Sequence, residues 1–407
     1  MPFYQRLGDL PRKRHIVHRD NGTLLTEEVM GFEGFSGLES ILYHLQSPCR
    51  VIELGEFEPI VRTEWVPDAH AHRHLRTWDV PPAGDAVTGR QLLMWNSDVE
   101  ISLCRPTELM DGFFRNGERD EVVFVHEGTG IVETVFGDVP YKNGDYIVLP
   151  RGTTYRFAPA DDSEQRYLVF ETPGLIEIPR RYRNQYGQLV EGAPYYNRDI
   201  HPPTELRTVR EKGEFPVKVR VRGGYQTYLV DYHPFDVVGW VGYLYPWTFS
   251  VHDFEPITGR IHQPPPSHQT FQGQNFVICS FCPRKLDFDP LAIPIPYHHS
   301  NLQSEEMIYY VSGNFGSRKG VEVGSITLHP SGIPHGPQPG LAEKAIGLHE
   351  THELAVMCDT FNPLKLTKFA KDLDDGVYWR SWYEKGQEGV PVDGADDASG
   401  AGLTSHL

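Results

Sequence analysis

The stretch Gly324-Ser325-Ile326-Thr327-Leu328-His329-Pro330-Ser331-Gly332-Ile333-Pro334-His335 decides how this chain is read. Gly324 turns the chain into a strand, Pro330 and Gly332 shape the turn that follows, and His335 emerges pointing into whatever the strand encloses. Upstream stands His299-Ser300-Asn301-Leu302-Gln303-Ser304-Glu305. His299, Glu305 and His335 are all odd-numbered, so on extended chain they share one face. Two imidazoles and one carboxylate, with further positions left open to water, substrate and oxygen, form the donor set of non-haem iron(II) oxygenases. The predicted metal ligands are therefore His299, Glu305 and His335, and the predicted cofactor is Fe(II). Glu306 is the rival carboxylate; a regular strand points it away from His299 unless a bulge intervenes.

The same pattern recurs, altered, in the first half. Glu121-Val122-Val123-Phe124-Val125-His126-Glu127-Gly128 and Gly144-Asp145-Tyr146-Ile147-Val148-Leu149-Pro150-Arg151-Gly152-Thr153-Thr154-Tyr155 repeat the glycine and proline spacing. Tyr155 stands where His335 stands in the second half, so this copy is expected to bind no metal. Both copies carry the spaced motifs of cupins. The fold class predicted is all-β, a bicupin of two double-stranded β-helix (jelly-roll) barrels with few helices, supported by short β-rich runs between Gly, Pro and Asn-Gly turns. Helices are expected only around Leu38 to Leu45 and Pro363 to Leu373. The predicted organisation is an N-terminal domain with a metal-free barrel over residues 1–245, a catalytic barrel over 246–385, and a disordered tail over 386–407, where Gly, Ala, Asp and Ser dominate.

Bulk composition narrows the function. A chain of 407 residues can hold two cores, and 39% hydrophobic with 23% charged residues is ordinary for a soluble globular protein. A net charge of −17 speaks against nucleic acid and anionic membrane surfaces as partners. No long apolar run suggests a membrane span or signal peptide, and five cysteines make no disulfide framework. A cytoplasmic location is expected. Cys279 and Cys282 read as structural, because the residues before them form a strand rather than a helix start.

With these residues in hand, the chain resembles the homogentisate 1,2-dioxygenase family from about Arg12 to Lys368. The likeness rests on Tyr297-His298-His299, Asn301, Ser304-Glu305, Leu328-His329, Pro334-His335-Gly336-Pro337, and the earlier Val237-Val238-Gly239-Trp240-Val241-Gly242 with Tyr245-Pro246. The resemblance implies cleavage of the homogentisate ring with O2 to maleylacetoacetate, in tyrosine and phenylalanine catabolism. It places His299, Glu305 and His335 on the family's iron ligands and His262 on its catalytic base, with His268 as local competitor. It also implies a homo-oligomer, a trimer or a hexamer built from trimers. Partners are then a small aromatic substrate and O2.

This sequence departs from the family at Ser312-Gly313-Asn314-Phe315, where the family carries a tyrosine that contacts substrate. Tyr297, Tyr309 and Tyr310 are candidates to replace it, and the predicted substrate contacts are Tyr297, His329, Phe315 and Tyr310. For His329 a supporting place behind the metal is the open alternative. The alternative functions are a dioxygenase for a related hydroquinone acid such as gentisate, and a non-catalytic small-ligand-binding bicupin. His70-Ala71-His72-Arg73-His74 reads as a polar or subunit-contact surface rather than a second metal site, and His349-Glu350-Thr351-His352-Glu353 lacks the spacing of a helical zinc site.

Overall fold

Turn chemistry sets the strand boundaries in both halves. Gly144, Gly152, Gly324 and Gly332 hold φ of 86°, 86°, 81° and 82°, a left-handed conformation that costs glycine little and other residues much. The first pair brackets the strand Asp145–Leu149 and the second brackets Ile326–His329, both fully buried. The computed structural model in which this is seen describes residues 3–383; the predicted disordered tail lies outside the described residues.

The architecture is all-β, with two short α-helices, Leu341–Ala345 and Lys368–Leu373, among the described residues. The second helix falls within the predicted window. The helix expected around Leu38 to Leu45 is instead the strand Ser36–His44, paired on one side with Thr26–Glu33 and on the other with Val237–Gly242. Pairing with a strand on each side overrides a local pattern that could serve either structure.

In the second half, six antiparallel strands run in the order Gln269–Gly273, Phe276–Phe281, Leu354–Thr360, Glu305–Ser312, Ile326–His329 and Arg73–Leu75. The last strand comes from the N-terminal half. In exchange, Lys365–Thr367 pairs with Arg90–Trp95 in the nine-stranded sheet of the first half. Each half therefore completes an edge of the other. His126 adds a buried 2.5 Å hydrogen bond to the Tyr309 hydroxyl across the two halves, so Tyr309 faces the N-terminal barrel rather than a substrate.

Side-chain alternation along Glu305–Ser312 separates two environments. Met307, Tyr309 and Val311 join the large core that runs through both halves, while Ile308 and Tyr310 join a smaller cluster with Phe315, Ala355, Met357 and Cys279. Cys279 and Cys282 are buried free thiols, and burial pushes the Cys282 thiol up to about 12, in keeping with a structural role.

The first barrel neutralises its acidic interior with guanidinium groups. Tyr155, at the position of His335, donates to Glu121 at 2.6 Å, and Arg90 donates to the other oxygen of Glu121 at 2.6 Å and to the Tyr155 hydroxyl at 3.0 Å. Arg220 spans Glu171 at 2.6 Å and Glu100 at 2.8 Å. Such a network is costly to break from one side, because the partner left behind is a buried unpaired charge.

A second buried ion pair gives the fold a pH dependence. His44 is held between Asp236 at 2.7 Å and Glu28 at 2.9 Å. Burial opposes its charge, but the two carboxylates outweigh burial and raise the imidazole from 6.5 to about 9. A folded-state value above the unfolded one stabilises fully below pH 6.5 and is lost as pH rises through 9; the contribution is on the order of 3 kcal/mol. Urea unfolding from pH 6.5 to 9.5 should show a stability decline across that window which His44→Gln largely removes. An equal decline in the variant would mean that another group carries it.

Candidate metal centre

His299 and His335 come together through the backbone before any side chain is considered. They form an antiparallel bridge, with the amide of each donating to the carbonyl of the other at 2.8 and 2.9 Å. Their rings lie 4.2 Å apart. The third member of the cluster is Glu306: ligand atoms of His299, Glu306 and His335 all fall within 4.8 Å of one another, the only such group of three or more among the described residues. Glu306 Oε2 lies 3.8 Å from His299 Nε2, and its Oε1 lies 3.5 Å from His335 Nε2.

The predicted ligand Glu305 is thus corrected to its neighbour. Counting parity from His299 assumes continuous strand, but residues 300–304 are not strand, the chain bends at Leu302 and Gln303, and the strand begins only at Glu305. Within that strand Glu306 shares its face with Ile308 and Tyr310, which line the cavity. Glu305 turns the other way and accepts a 2.7 Å hydrogen bond from the Leu364 amide.

Electrostatics at Glu306 reflect its neighbours. Burial works to raise this carboxyl, but His299, His329 and His335 together hold it well below the usual carboxylate range. In return, the bond to Glu306 raises His299 despite partial burial. His299 Nδ1 is engaged by the Tyr297 carbonyl at 3.1 Å, which leaves Nε2 facing the cluster. Both ring nitrogens of His335 are buried and have no hydrogen-bond partner. Buried polar atoms are rarely left unsatisfied, and an imidazole nitrogen, a carboxylate and a second imidazole within one cation's reach suit a divalent metal.

Directly opposite Glu306 on the neighbouring strand is Asp359. Burial first, and the Glu306 charge second, raise its carboxyl to about 8.

His329 takes the supporting place. It is fully buried and does not line the cavity; Nδ1 meets Glu306 at 2.7 Å and Nε2 meets the Tyr378 hydroxyl at 3.3 Å. Its ring stacks on His335 at 4.6 Å with an 11° tilt. The reading of His329 as a substrate contact gives way to that of a clamp on Glu306. His72, expected on a polar surface, is also buried here, 6.0 Å from the His335 ring and 3.1 Å from the Pro334 carbonyl. The exchanged strand Arg73–Leu75 carries it there. His70 and His74 bond instead to Ser331 and to Asp375 and Ser325, so the three histidines do not gather.

In front of the cluster opens a cavity of about 620 Å³ lined by His299, Glu306, Tyr310, Phe315 and Arg318 among others. Two of the predicted substrate contacts, Phe315 and Tyr310, therefore border it. Tyr297 is 61% exposed, and its ring lies 5.2 Å from His262 and 6.4 Å from His299. His262 lines an adjoining recess that shares Pro265, Phe281, Arg284 and Pro294 with the cavity wall. Its Nδ1 faces Asp287 at 3.4 Å, and its Nε2 is buried without a partner. His268, its competitor, is buried against Phe281 at 4.8 Å, and burial lowers it to about 3.

Two adjoining family profiles match this chain over residues 87–387. Residues 87–251 match the profile described as homogentisate 1,2-dioxygenase N-terminal, and residues 252–387 match its C-terminal counterpart. The chain belongs to the homogentisate 1,2-dioxygenase family. A relative from Saccharolobus solfataricus that carries the provisional name of dioxygenase is 44% identical over 94% of this chain and 100% of its own length. The homogentisate 1,2-dioxygenase of Sinorhizobium medicae is 25% identical over 94% of this chain and 92% of its own length. Among solved structures, a cupin barrel protein from Leptotrichia buccalis covers 74% of this chain and 99% of that one, with 11% identity and a TM-score of 0.30. Oxalate decarboxylase of Bacillus subtilis covers 73% and 78%, with 10% identity and a TM-score of 0.34. No helix among the described residues is long and apolar enough to cross a membrane.

Three residues of this family member's site escape a reading by motif: His72, Asp359 and Arg318. Each enters from a segment outside the two spaced motifs. The corrected register has a direct consequence for metal retention. After anaerobic loading and desalting, Glu306→Ala should retain little metal, whereas Glu305→Ala should retain it and lose only about 1–3 kcal/mol of stability from the unpartnered Leu364 amide. Elemental analysis of both variants checks this; metal lost from Glu305→Ala alone would restore the odd-numbered register.

Proposed function

We propose that this protein is an iron(II)-dependent ring-cleaving dioxygenase that converts homogentisate and O2 to maleylacetoacetate. The observation that carries the reading is the pair of orphaned, buried nitrogens on His335, set against His299 and Glu306, which line a cavity with room for a small aromatic ring. Two imidazoles and one carboxylate suit iron(II) in a family named for dioxygenases, and the carboxylate speaks against the all-histidine set expected for a gentisate enzyme. Named relatives in the family support the substrate.

His299, Glu306 and His335 would hold the metal. Iron(II) held there would supply Lewis-acid and one-electron redox chemistry toward a hydroquinone and O2. The protein's own contribution is positional. His329 fixes Glu306 from behind, and the Tyr297 carbonyl fixes His299. His262 is the base: Asp287 stands at Nδ1, so Nε2 is free to take the proton of a ring hydroxyl that enters from the shared wall. An imidazole is suited to that transfer near neutral pH. Ile308 and Phe315 offer apolar faces to the ring, which orients it and excludes water.

The test is oxygen uptake by anaerobically iron-loaded protein given homogentisate, then gentisate, with the product mass measured. Stoichiometric uptake with homogentisate and a ring-opened product two oxygens heavier is the expected result. Uptake with gentisate alone would keep the chemistry and change the substrate. No uptake with either by iron-replete protein would favour a non-catalytic, ligand-binding bicupin.

A further inference from the structure

Three cationic side chains border the cavity, and they differ in what neutralises them. Arg284 is paired with Glu353 at 3.1 Å and also donates to the Cys282 carbonyl at 3.0 Å. Lys344 is exposed on the short helix Leu341–Ala345. Arg318 has no ion-pair partner among the described residues, and its buried Nε has no hydrogen-bond partner. Its Nη1 donates to the carbonyls of Ser317 at 3.1 Å and Gly336 at 2.8 Å. Gly336 directly follows His335, so this contact fixes the guanidinium beside the metal cluster. The Trp382 ring, 5.9 Å away, backs it, and Trp382 Nε1 donates to the same Gly336 carbonyl at 3.1 Å.

A held guanidinium without a counterion is an unfinished arrangement. Backbone carbonyls fix its plane but carry no net charge, and Glu306, the carboxylate that acts on it, is already shared among three imidazoles. A planar donor fork held at a cavity wall matches the two oxygens of a carboxylate. Ile308 and Phe315 make other parts of the lining apolar.

We infer that Arg318 is the residue that receives the substrate's carboxylate, so that the site selects a single-ring aromatic acid, with its hydroxyl at the His299, Glu306 and His335 end and its acid group on Arg318. This rests on the ring-cleaving reading for the hydroxyl end alone. Phe315 and Tyr310 then wall the ring, and neither need bond the acid.

The experiment compares homogentisate with methylhydroquinone, which has the same ring pattern and no carboxylate. In iron-loaded wild type, Arg318→Met and Arg318→Lys, with metal content measured for each, the ratio of kcat/KM for the two compounds is recorded. A charge-assisted hydrogen bond of about 1.5–3 kcal/mol corresponds to a fall of roughly 10- to 100-fold in that ratio for Arg318→Met, carried mainly by KM for homogentisate. Arg318→Lys should recover part of it, because charge remains while the planar fork is gone. An unchanged ratio in a metal-replete variant overturns the inference. A calorimetric arm with phenylacetate and unreacted protein separates this inference from the ring-cleaving reading. If wild type consumes no oxygen with either hydroquinone, that reading fails, yet phenylacetate binding lost in Arg318→Met supports the carboxylate site and equal binding overturns it.

Discussion

A carboxylate buried among three imidazoles is the constraint on which the second barrel is organised. Glu306 has lost its water, and its charge is sustained by His299, His329 and His335. Each imidazole is itself positioned by something rigid. The backbone bridge ties His299 to His335, the pairing of Glu305–Ser312 with Ile326–His329 places His329 opposite Glu306, and Tyr378 closes the far side of His329. Removing charge or alignment at any one of these would leave a buried ion uncompensated, which is among the costliest faults a core can carry.

The two barrels solve the same problem differently. Both use a left-handed glycine pair to bracket a short buried strand, and both bring acidic side chains into the interior. In the first, Arg90 and Arg220 supply fixed positive charge to Glu121, Glu171 and Glu100, and Tyr155 fills the position of the missing histidine. A covalently attached cation needs no exchangeable site, and it leaves no open position for chemistry. The second barrel surrounds Glu306 with imidazoles and keeps an open cavity instead. Strand exchange binds them together: Arg73–Leu75 carries His72 from the first half to the back of His335, and Lys365–Thr367 returns the favour at the other sheet's edge.

Much of this was legible in the sequence because turn chemistry is local. Glycine and proline spacing pointed to two barrels, the turn at Pro330 and Gly332 led to His335, and the spacing between a histidine and a following carboxylate led to His299. The choice between Glu305 and Glu306 was not legible, because it depends on where a bend ends and a strand begins, and residues 300–304 carry no signal that fixes this phase. His329 lay on the motif, but its role depends on which residue the neighbouring strand sets against it. His72 and Arg318 were out of reach for a different reason: they meet the site through pairing and loop closure between segments distant in sequence. Local patterns do not encode such meetings, and the strand at Ser36–His44 shows the same override in the fold itself.

Glu306, with His299 and His335, is the carboxylate proposed to hold the metal. The most direct measurement is anomalous diffraction at the iron edge from crystals of anaerobically iron-loaded protein. One strong peak per chain is expected within about 2.0–2.2 Å of Glu306 and of a ring nitrogen on each of His299 and His335, with Glu305 still bonded to the Leu364 amide. A peak bonded to Glu305, or no peak between His299 and His335, would contradict it.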